Sequence, residues 1–565
     1  MASKIKIAHL AGPNATIQNT PPLVTSNKAR RQYGLPLLTD VEGKPTPFDV
    51  LRPQKLAAPA VLYVEQFSAH PLEADAADLY GSPDGFLSPN GKFSAERQSD
   101  RDRPVYRIEI GPEDGYYPLP YMARKADGGP WSGDGTAPSA PRQQSRQPFM
   151  PDGRRTFEEI DQFGIGPDGI GNMIGRCADV DFYRIAPSGG YMKGRAAGEA
   201  AGNDPAIAPE VSGKDFFPYR PFHLAMSPPR MTLARITNMT RRILAGGTYD
   251  GAIWTQGSPR IEETLYWFNL SLDVTVPICG NASHRYHGQN SNDGPQNIVD
   301  SVDYIYSRVW ADRDGRNRAG VVLIESQRVF AAREVIKVDA RPGGFTVAGG
   351  HGGILGGAGG RGRGAVLRYI PVTCHTYFSE VSVPKLPSNT EGMTRTSGRI
   401  ERLRVPVKDA DGDLLASAIP NVSIIKDSSY SEDDYESDPD QHVDIAALVD
   451  HKLKNSPLAG FVLEGLSPYG KAAATSRNRA LARAVLMGFP VVHVGRGNTE
   501  GFAWPGGLFI AGSNLTATKA RLLLMLCILK LGMLPTARDP ADPDAAEIRA
   551  AEAKVAAYQA IFDTH

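Results

Sequence analysis

Two stretches of the chain carry residue types whose spacing could support metal or phosphate chemistry. His284 and His287 form a His-x-x-His pair, which on a helix can supply two metal ligands from one face. The pair lacks the His-Glu-x-x-His context of zinc hydrolases, so the sequence predicts no metal site. Residues 343–364 hold a glycine-rich run without the Gly-Lys-Ser/Thr ending of a phosphate-binding loop, and we interpret it as a flexible loop.

The cysteines are scattered singly along the chain, and their spacing offers neither a disulfide framework nor a zinc site. The first residues, MASKIKIAHLAG, do not have the layout of a signal peptide. Together these observations predict a reducing, cytoplasmic location. The cysteines are Cys177, Cys279, Cys374 and Cys527.

The length and the charge balance exclude some classes of protein. A chain of 565 residues is long enough for about two to four domains, each with its own core. Lys and Arg together number 62, and so do Asp and Glu, which gives a formal net charge of zero. Proteins that bind nucleic acid or an anionic membrane need a basic excess. We therefore expect neither as a partner.

Helical and strand patterns alternate over most of the chain from residue 222 onward. Strands spaced by helices of roughly 10–15 residues are typical of an α/β fold with a doubly wound, mostly parallel sheet. In such sheets an active site lies beyond the carboxyl ends of the strands. The predicted strands are residues 4–11, 222–226, 250–255, 274–279, 319–324, 421–427, 459–465 and 489–495. The predicted helices are residues 231–245, 262–272, 295–310, 444–454, 472–487 and 517–531.

These patterns predict two domains. Residues 1–380 form an N-terminal α/β domain, interrupted at about 36–221 by a stretch rich in proline, glycine and polar residues, which we interpret as an irregular insertion. Residues 381–417 form a linker, and residues 418–565 form a smaller C-terminal α/β domain.

Five segments, in chain order, resemble the bacterial-type asparaginase/glutaminase family. They are NATIQ (14–18), DGAIWTQGSPRIEETLYWFNLSL (from 250), NSNDGPQNI (290–298), AGVVLIESQRVFAAREVIKV (319–338) and GGLFIAGSNLTATKARLLLMLCILKLG (506–532). The resemblance implies the two-domain α/β fold of that family and hydrolysis of the carbon–nitrogen bond of a small-molecule amide. It implies no metal and no organic cofactor. It also implies a homodimer or a homotetramer with active sites shared between chains.

The resemblance implies roles for four residues in catalysis. Thr16 matches the family's nucleophile, and Tyr33 is the nearest tyrosine that could assist it. Where the family has a second group of threonine, aspartate and lysine, this chain has Ser258, Pro259 and Lys337. A lysine becomes a useful base when burial lowers its pKa. Which hydroxyl attacks the amide, that of Thr16 or that of Ser258, is left open.

The amine-binding side chains of the family are missing from this chain. Ser227 matches the turn that binds the substrate's α-carboxylate, but Pro228 stands where the family has glutamine, and Pro259 stands where it has aspartate. Proline has no side-chain acceptor, and an unpaired buried ammonium costs several kcal/mol. We therefore expect a substrate without an α-ammonium, such as a linear amide, an imide or a lactam.

Further residues are assigned to substrate binding. Arg230 and Arg260 lie beside these prolines and could bind an anionic group of the substrate. Gln256 lies in the turn that carries Ser258, and Glu500 is the candidate for the acidic residue that the family takes from a neighbouring subunit.

Each assignment has a structural alternative. Thr16 could make a local hydrogen bond, Ser258 could cap the next helix, and Lys337 could extend into solvent from a strand. The two arginines could be ordinary surface charges. The alternative functions are an asparaginase or glutaminase of ordinary specificity, an ammonia-donating amidotransferase subunit, an esterase and a non-catalytic binding protein.

Overall fold

The computed structural model describes residues 5–12, 54–56, 60–64, 83–88, 93–110, 178–184, 230–258, 260–285, 293–348, 350–359, 364–427, 438–497 and 506–565. These residues fall into two compact units. The first unit holds those within Met1–Pro228, Thr248–Gly257 and Asn281–Tyr306. The second holds those within Pro229–Gly247, Ser258–Gly280 and Ser307–His565. The division into residues 1–380, 381–417 and 418–565 stays a prediction.

The described strands are numbered in chain order. They are β1 (Ile5–Ala11), β2 (Gln54–Leu56), β3 (Ala60–Val64), β4 (Gly85–Leu87), β5 (Phe93–Ser94), β6 (Arg103–Ile110), β7 (Ala178–Arg184), β8 (Gly251–Thr255), β9 (Ile278–Asn281), β10 (Val322–Glu325), β11 (Arg328–Ala331), β12 (Val335–Lys337), β13 (Phe345–Val347), β14 (Ile354–Gly357), β15 (Val366–Leu367), β16 (Asn389–Thr396), β17 (Arg399–Pro406), β18 (Asn421–Lys426), β19 (Ala459–Gly465), β20 (Val491–Gly495) and β21 (Ile510–Ala511).

The described α-helices are numbered in the same way. They are α1 (Thr232–Ala245), α2 (Ile261–Ser271), α3 (Gly294–Ser307), α4 (Val443–Asn455), α5 (Thr475–Leu486), α6 (Ala517–Leu531) and α7 (Ala545–Phe562). None of the helices in the described part of the chain combines the length and the apolar character needed to cross a membrane.

The first unit is built on four parallel strands in the order β8, β1, β7 and β2. Ile7 and Ala8 of β1 are completely buried, and every residue of β8 is buried, as expected of strands covered on both faces. Strands β3, β6, β4 and β5 form a separate antiparallel sheet.

Six strands, β2 to β7, lie inside the range 36–221, so the prediction of an irregular insertion is wrong for these segments. The clearest case is β7, which pairs in parallel with β1 along its whole length. Its sequence, ADVDFYR, alternates apolar Ala178, Val180 and Phe182 with polar residues, which is the period of a strand. A search for helical periodicity misses such a segment.

The second unit contains a sheet in the order β9, β10, β11, β14 and β15. The β9–β10 pair is parallel and the pairs that follow are antiparallel. Strands β13 and β14 lie within the glycine-rich run, so its interpretation as a flexible loop is wrong there. A Cβ atom at Gly356 would lie 1.9 Å from the carbonyl oxygen of Val366, so the pairing of β14 with β15 requires glycine at this position.

The second unit also contains the predicted C-terminal α/β block. Its sheet is parallel, in the order β18, β19, β20 and β21, and the helices predicted there are present as α4, α5 and α6. Thr516 caps α6 by accepting a hydrogen bond from the Lys519 backbone N–H at 3.4 Å. The predicted linker 381–417 contains the antiparallel hairpin β16–β17.

Among the predicted strands that the structure describes, β9 and β10 begin furthest from their predicted first residues. β9 begins at Ile278 because Pro277 cannot donate a backbone hydrogen bond to a neighbouring strand. β10 begins at Val322 because Gly320 has a φ of +74°, which interrupts an extended conformation. The predicted strand at 222–226 lies outside the described residues. The α/β class and the mostly parallel arrangement of the strands are confirmed.

Candidate functional site

Ser258 lies in the short connection between β8, which ends at Thr255, and α2, which begins at Ile261. The N-cap residue of α2 is Arg260, and no side chain caps this helix. The alternative in which Ser258 serves as the helix cap is therefore wrong. The hydroxyl of Ser258 is half-buried and bonds elsewhere.

Its partner is Lys337, the last residue of β12. The Lys337 Nζ donates a hydrogen bond to the Ser258 Oγ at 2.5 Å, across 79 positions of the sequence. A hydroxyl in direct contact with an amine is the arrangement that nucleophilic catalysis by serine and lysine needs, because a neutral amine can accept the hydroxyl proton. Both side chains are half-buried, so both retain partial access to solvent.

Glu262 holds the backbone of Lys337 in place. Its carboxylate accepts the Lys337 backbone N–H. Glu262 lies in the first turn of α2, where a negative charge is favoured by the helix dipole. Burial raises the pKa of Glu262, whereas the charge of Lys519 and the bond from Lys337 oppose that rise.

Lys519 on α6 forms hydrogen bonds with the backbone of residues 332–335, just before Lys337 in the sequence. Only 1% of it is exposed, and its Nζ donates to the carbonyl oxygens of Ala332, Arg333 and Val335 at 2.8, 2.8 and 2.5 Å. Burial lowers the pKa of Lys519 to about 7, and Glu262 and Glu334 oppose this shift. Sequence reasoning missed both Glu262 and Lys519. A lysine inside the apolar pattern of α6 was the available signal, because lysine is rarely buried without partners.

Two of the predicted binding residues have structural contacts. Gln256 is 5% exposed, and its Oε1 accepts a hydrogen bond from the Trp254 Nε1 at 2.9 Å. Arg230 is exposed just before α1, and its Nε donates to the Ile419 carbonyl at 3.1 Å. These contacts favour a structural role for both residues. Arg260 is half-buried beside Ser258 in the sequence, at the start of α2.

The remaining predicted site residues lie outside the part of the chain that the structure describes. They are Thr16, Tyr33, Ser227 and Glu500, together with Pro228 and Pro259.

The Asp-Gly-Pro segment performs a structural role at the start of α3. The Asp293 carboxylate accepts the backbone N–H groups of His284 and Arg285, at 2.9 and 3.0 Å, and the hydroxyl of Ser283 at 3.0 Å. Burial raises the pKa of Asp293, but these hydrogen bonds outweigh burial and the pKa is lowered. His287, the other half of the His-x-x-His pair, lies outside the described residues.

Comparison with known proteins places these residues in a family segment. Residues 207–347 match the family profile described as Asparaginase, N-terminal. An L-asparaginase of Bacillus licheniformis is 34% identical over 108 residues, which are 19% of this chain and 32% of that protein. A probable L-asparaginase of Deinococcus radiodurans is 27% identical over 166 residues, which are 28% of this chain and 49% of that protein. The matches thus span about a third of the first relative's length and about half of the second's.

Among solved structures, a probable cytoplasmic L-asparaginase from Campylobacter jejuni is similar with a TM-score of 0.42 and 21% identity. The similarity covers 60% of this chain and 87% of that one. The matched sequence segment includes both Ser258 and Lys337. The resemblance expected from the sequence is thereby confirmed, and the chain is asparaginase-like over residues 207–347.

Proposed function

We propose that this protein is an amidohydrolase in which Ser258 and Lys337 form a hydroxyl–amine pair that acts in catalysis. The observation that carries the proposal is the 2.5 Å hydrogen bond between the Lys337 Nζ and the Ser258 Oγ. The family match over residues 207–347 supports the reaction class, since the matched relatives are named L-asparaginases.

The reaction runs in two halves. With Lys337 neutral, its Nζ accepts the proton of the Ser258 hydroxyl while the oxygen attacks the amide carbon. The tetrahedral intermediate collapses, the carbon–nitrogen bond breaks, and the Lys337 ammonium returns the proton to the leaving nitrogen. Water then attacks the resulting ester, giving its proton to Lys337, and the carboxylic acid product leaves as the Ser258 hydroxyl is restored.

Thr16 remains the alternative nucleophile, proposed from the family resemblance together with Tyr33. In that case Ser258 and Lys337 would serve proton transfer and would not form the ester. Trapping the acyl-enzyme and locating the ester by peptide mass spectrometry decides between the two hydroxyls.

We further propose that the substrate lacks an α-ammonium. Pro228 and Pro259 stand where the family has the glutamine and the aspartate that bind this group, so an ammonium would lose its side-chain partners. Arg260 lies directly after Pro259 in the sequence and is the proposed partner of an anionic group on the substrate. A linear amide, an imide or a lactam fits this description.

The test is turnover of a substrate panel by the purified full-length protein. The panel holds asparagine, glutamine, simple amides, cyclic imides, lactams and a simple ester, with ammonia release and substrate loss both measured. For the preferred substrate, we expect Ser258→Ala and Lys337→Met each to lower kcat by roughly 10²- to 10⁴-fold. Lys426→Met is the matched control, because Lys426 also ends a strand but pairs with Glu464 instead of a hydroxyl.

Several outcomes would contradict the proposal. Full activity in both Ser258→Ala and Lys337→Met would exclude the pair from catalysis. Preference for asparagine would overturn the substrate assignment and favour an asparaginase of ordinary specificity. Absence of turnover across the panel would favour the non-catalytic alternative. Light scattering tests the accompanying proposal of a homodimer or homotetramer.

A further inference from the structure

At one edge of strand β12, side chains form the described hydrogen bonds to the backbone. Its described strand partner is β13, with Val335 opposite Val347 and Lys337 opposite Phe345. In a strand, the backbone groups of alternate residues point to the same side, so those of Val335 and Lys337 share an edge. At that edge, the Val335 carbonyl accepts from the Lys519 Nζ, and the Lys337 N–H donates to the Glu262 carboxylate.

The Lys519 amine meets the requirements of this position well. An ammonium has three N–H donors, and three carbonyl oxygens, those of Ala332, Arg333 and Val335, accept from it. The same Nζ lies 5.8 Å from the centre of the Tyr266 ring on α2, within reach of a cation–π interaction. Lys519 thus links the turn between β11 and β12 to α6, which carries the amine, and to α2, which carries Tyr266.

The charged groups around Lys519 have opposite effects on the stability of its ammonium form. Glu262 and Glu263 on α2 and Glu334 in the turn favour its ammonium form, whereas Arg333 opposes it. Glu262 in turn gains a positive neighbour, which favours the carboxylate that accepts the Lys337 N–H. Each charge of the Lys519–Glu262 pair therefore supports the hydrogen bond that the other makes to β12.

We infer that Lys519 is a positioning residue, which together with Glu262 completes the edge of β12 and so holds the Lys337 Nζ at the Ser258 hydroxyl. The catalytic part of this inference rests on the function proposed above. Its geometric part concerns the backbone of β12 alone. Lys519 does not contact Ser258 in any described hydrogen bond, and we assign it no part in the chemical steps.

Loss of the Lys519 amine should slow catalysis by increasing the distance between the Lys337 Nζ and the Ser258 hydroxyl. Without Lys519, three buried carbonyl oxygens lose their donor and the turn must move to find other partners. Lys337 lies two residues after Val335, whose carbonyl is the last of the three in the sequence. Movement of this segment would therefore displace the Lys337 Nζ from the Ser258 hydroxyl. A displacement of about 1 Å can cost on the order of 100-fold in rate.

The experiment uses the full-length Lys519→Met variant, in which methionine keeps an unbranched side chain but has no donor. We expect kcat to fall by about 100-fold while KM changes little, because binding groups are not touched. Hydrogen–deuterium exchange of the peptide containing residues 332–338 should become faster. Lys530→Met is the control, since Lys530 lies on the same helix and donates to the Glu380 carbonyl at 2.5 Å.

Glu262→Ala provides a second approach that leaves Lys519 in place. It removes the acceptor of the Lys337 N–H, and we expect the same lower kcat and faster exchange. Thermal unfolding establishes that each variant is folded. If Lys519→Met is folded and both kcat and exchange at 332–338 equal those of the wild type, the inference is overturned.

The two proposals fail in different ways. If the wild type turns over no substrate but exchange at 332–338 accelerates in both variants, the positioning of β12 stands and the proposed function falls. If the wild type is active and neither variant changes kcat or exchange, the function stands and the positioning role falls.

Discussion

The guanidinium of Arg521 on α6 lies 2.7 Å from the carboxylate of Glu263 on α2. This ion pair joins the helix that carries Lys519 to the helix that carries Glu262. Glu262 and Glu263 are neighbours in the sequence, yet the first bonds to the backbone of Lys337 and the second to a side chain on another helix. Substitutions at Glu262 therefore test the positioning of Lys337, whereas substitutions in the Arg521–Glu263 pair test the packing of α6 against α2.

Removing the Arg521–Glu263 pair should have a small effect on stability. Both side chains are partly exposed, at 33% and 25%, so water screens much of the attraction. For Arg521→Met we expect a loss of at most about 1 kcal/mol in the free energy of unfolding and an unchanged kcat. Urea unfolding and steady-state kinetics check both values. A large loss of activity would show that α6 must be held by this pair for Lys337 to be placed correctly.

His493 should make the protein sensitive to acid. The residue is 4% exposed, its ring stacks on Phe509 at 4.2 Å, and its Nε2 has no hydrogen-bond partner among the described residues. Burial, together with the charge of Lys471, lowers the pKa of His493 to about 4. The unfolded chain binds this proton near pH 6.5, so stability is lost as the pH falls from 6.5 through 4.

The variant His493→Leu removes this titration. We expect the loss of unfolding free energy between pH 7 and pH 4 to shrink by up to ~3 kcal/mol, measured by urea unfolding at each pH. Burial also lowers the pKa of His9 to about 3 and that of His565 to about 4, so part of the acid sensitivity should remain. An equal slope in His493→Leu and the wild type would contradict the assignment.

Asp293 should contribute a pH dependence of the same sign as that of His493, but in a more acidic range. Its pKa is lowered in the folded state because its carboxylate accepts backbone N–H groups, so its contribution is present above the unfolded pKa and is lost as the pH falls through the folded one. For Asp293→Asn we expect a loss of roughly 1–3 kcal/mol at pH 7. The difference from the wild type should narrow in strong acid. A constant difference at every pH would show that charge plays no part.

The N-terminus of α7 offers a test of helix capping. The Asp544 side chain accepts the backbone N–H groups of Ala546 and Glu547 at 2.8 and 2.9 Å, and Glu547 reciprocates by accepting the Asp544 N–H at 3.0 Å. Asp544→Ala should lower the free energy of unfolding by about 1 kcal/mol, measured by urea unfolding. Asp544→Ser, which keeps an N-cap acceptor, should recover most of it. Equal losses in both variants would exclude the cap as the cause.

Much of the fold was predictable because its strands and helices have strong local patterns. β19 and α6 have the bounds that their apolar patterns predict, 459–465 and 517–531. Helix α7 was not predicted, although Asp544 and Glu547 stand at the spacing of a capping box. Its alanine-rich sequence lacks the strong apolar period by which helices were sought.

The site was predictable only in part, because several of its contacts join residues that are far apart in the sequence. Ser258 and Lys337 were identified from motifs, and their contact spans 79 positions. The Lys519 Nζ reaches the Arg333 carbonyl across 186 positions, and no local pattern encodes such a pairing. The contact of Arg230 with the Ile419 carbonyl likewise spans 189 positions.

The bonds between Lys519 and the turn before β12 also set an order of events during synthesis. Lys519 follows Ala332 by 187 positions, which a ribosome adding ~5–20 residues per second covers in roughly 10–40 s. During that interval the carbonyl groups of the turn have no ammonium to hold them, and Lys337 has no fixed place beside Ser258. The nascent chain therefore passes through a period in which the residues of α2 and β12 have been synthesised but Lys519 has not. On the proposed function and the proposed role of Lys519, hydrolytic capacity is acquired only after α6 has emerged and packed on the C-terminal sheet.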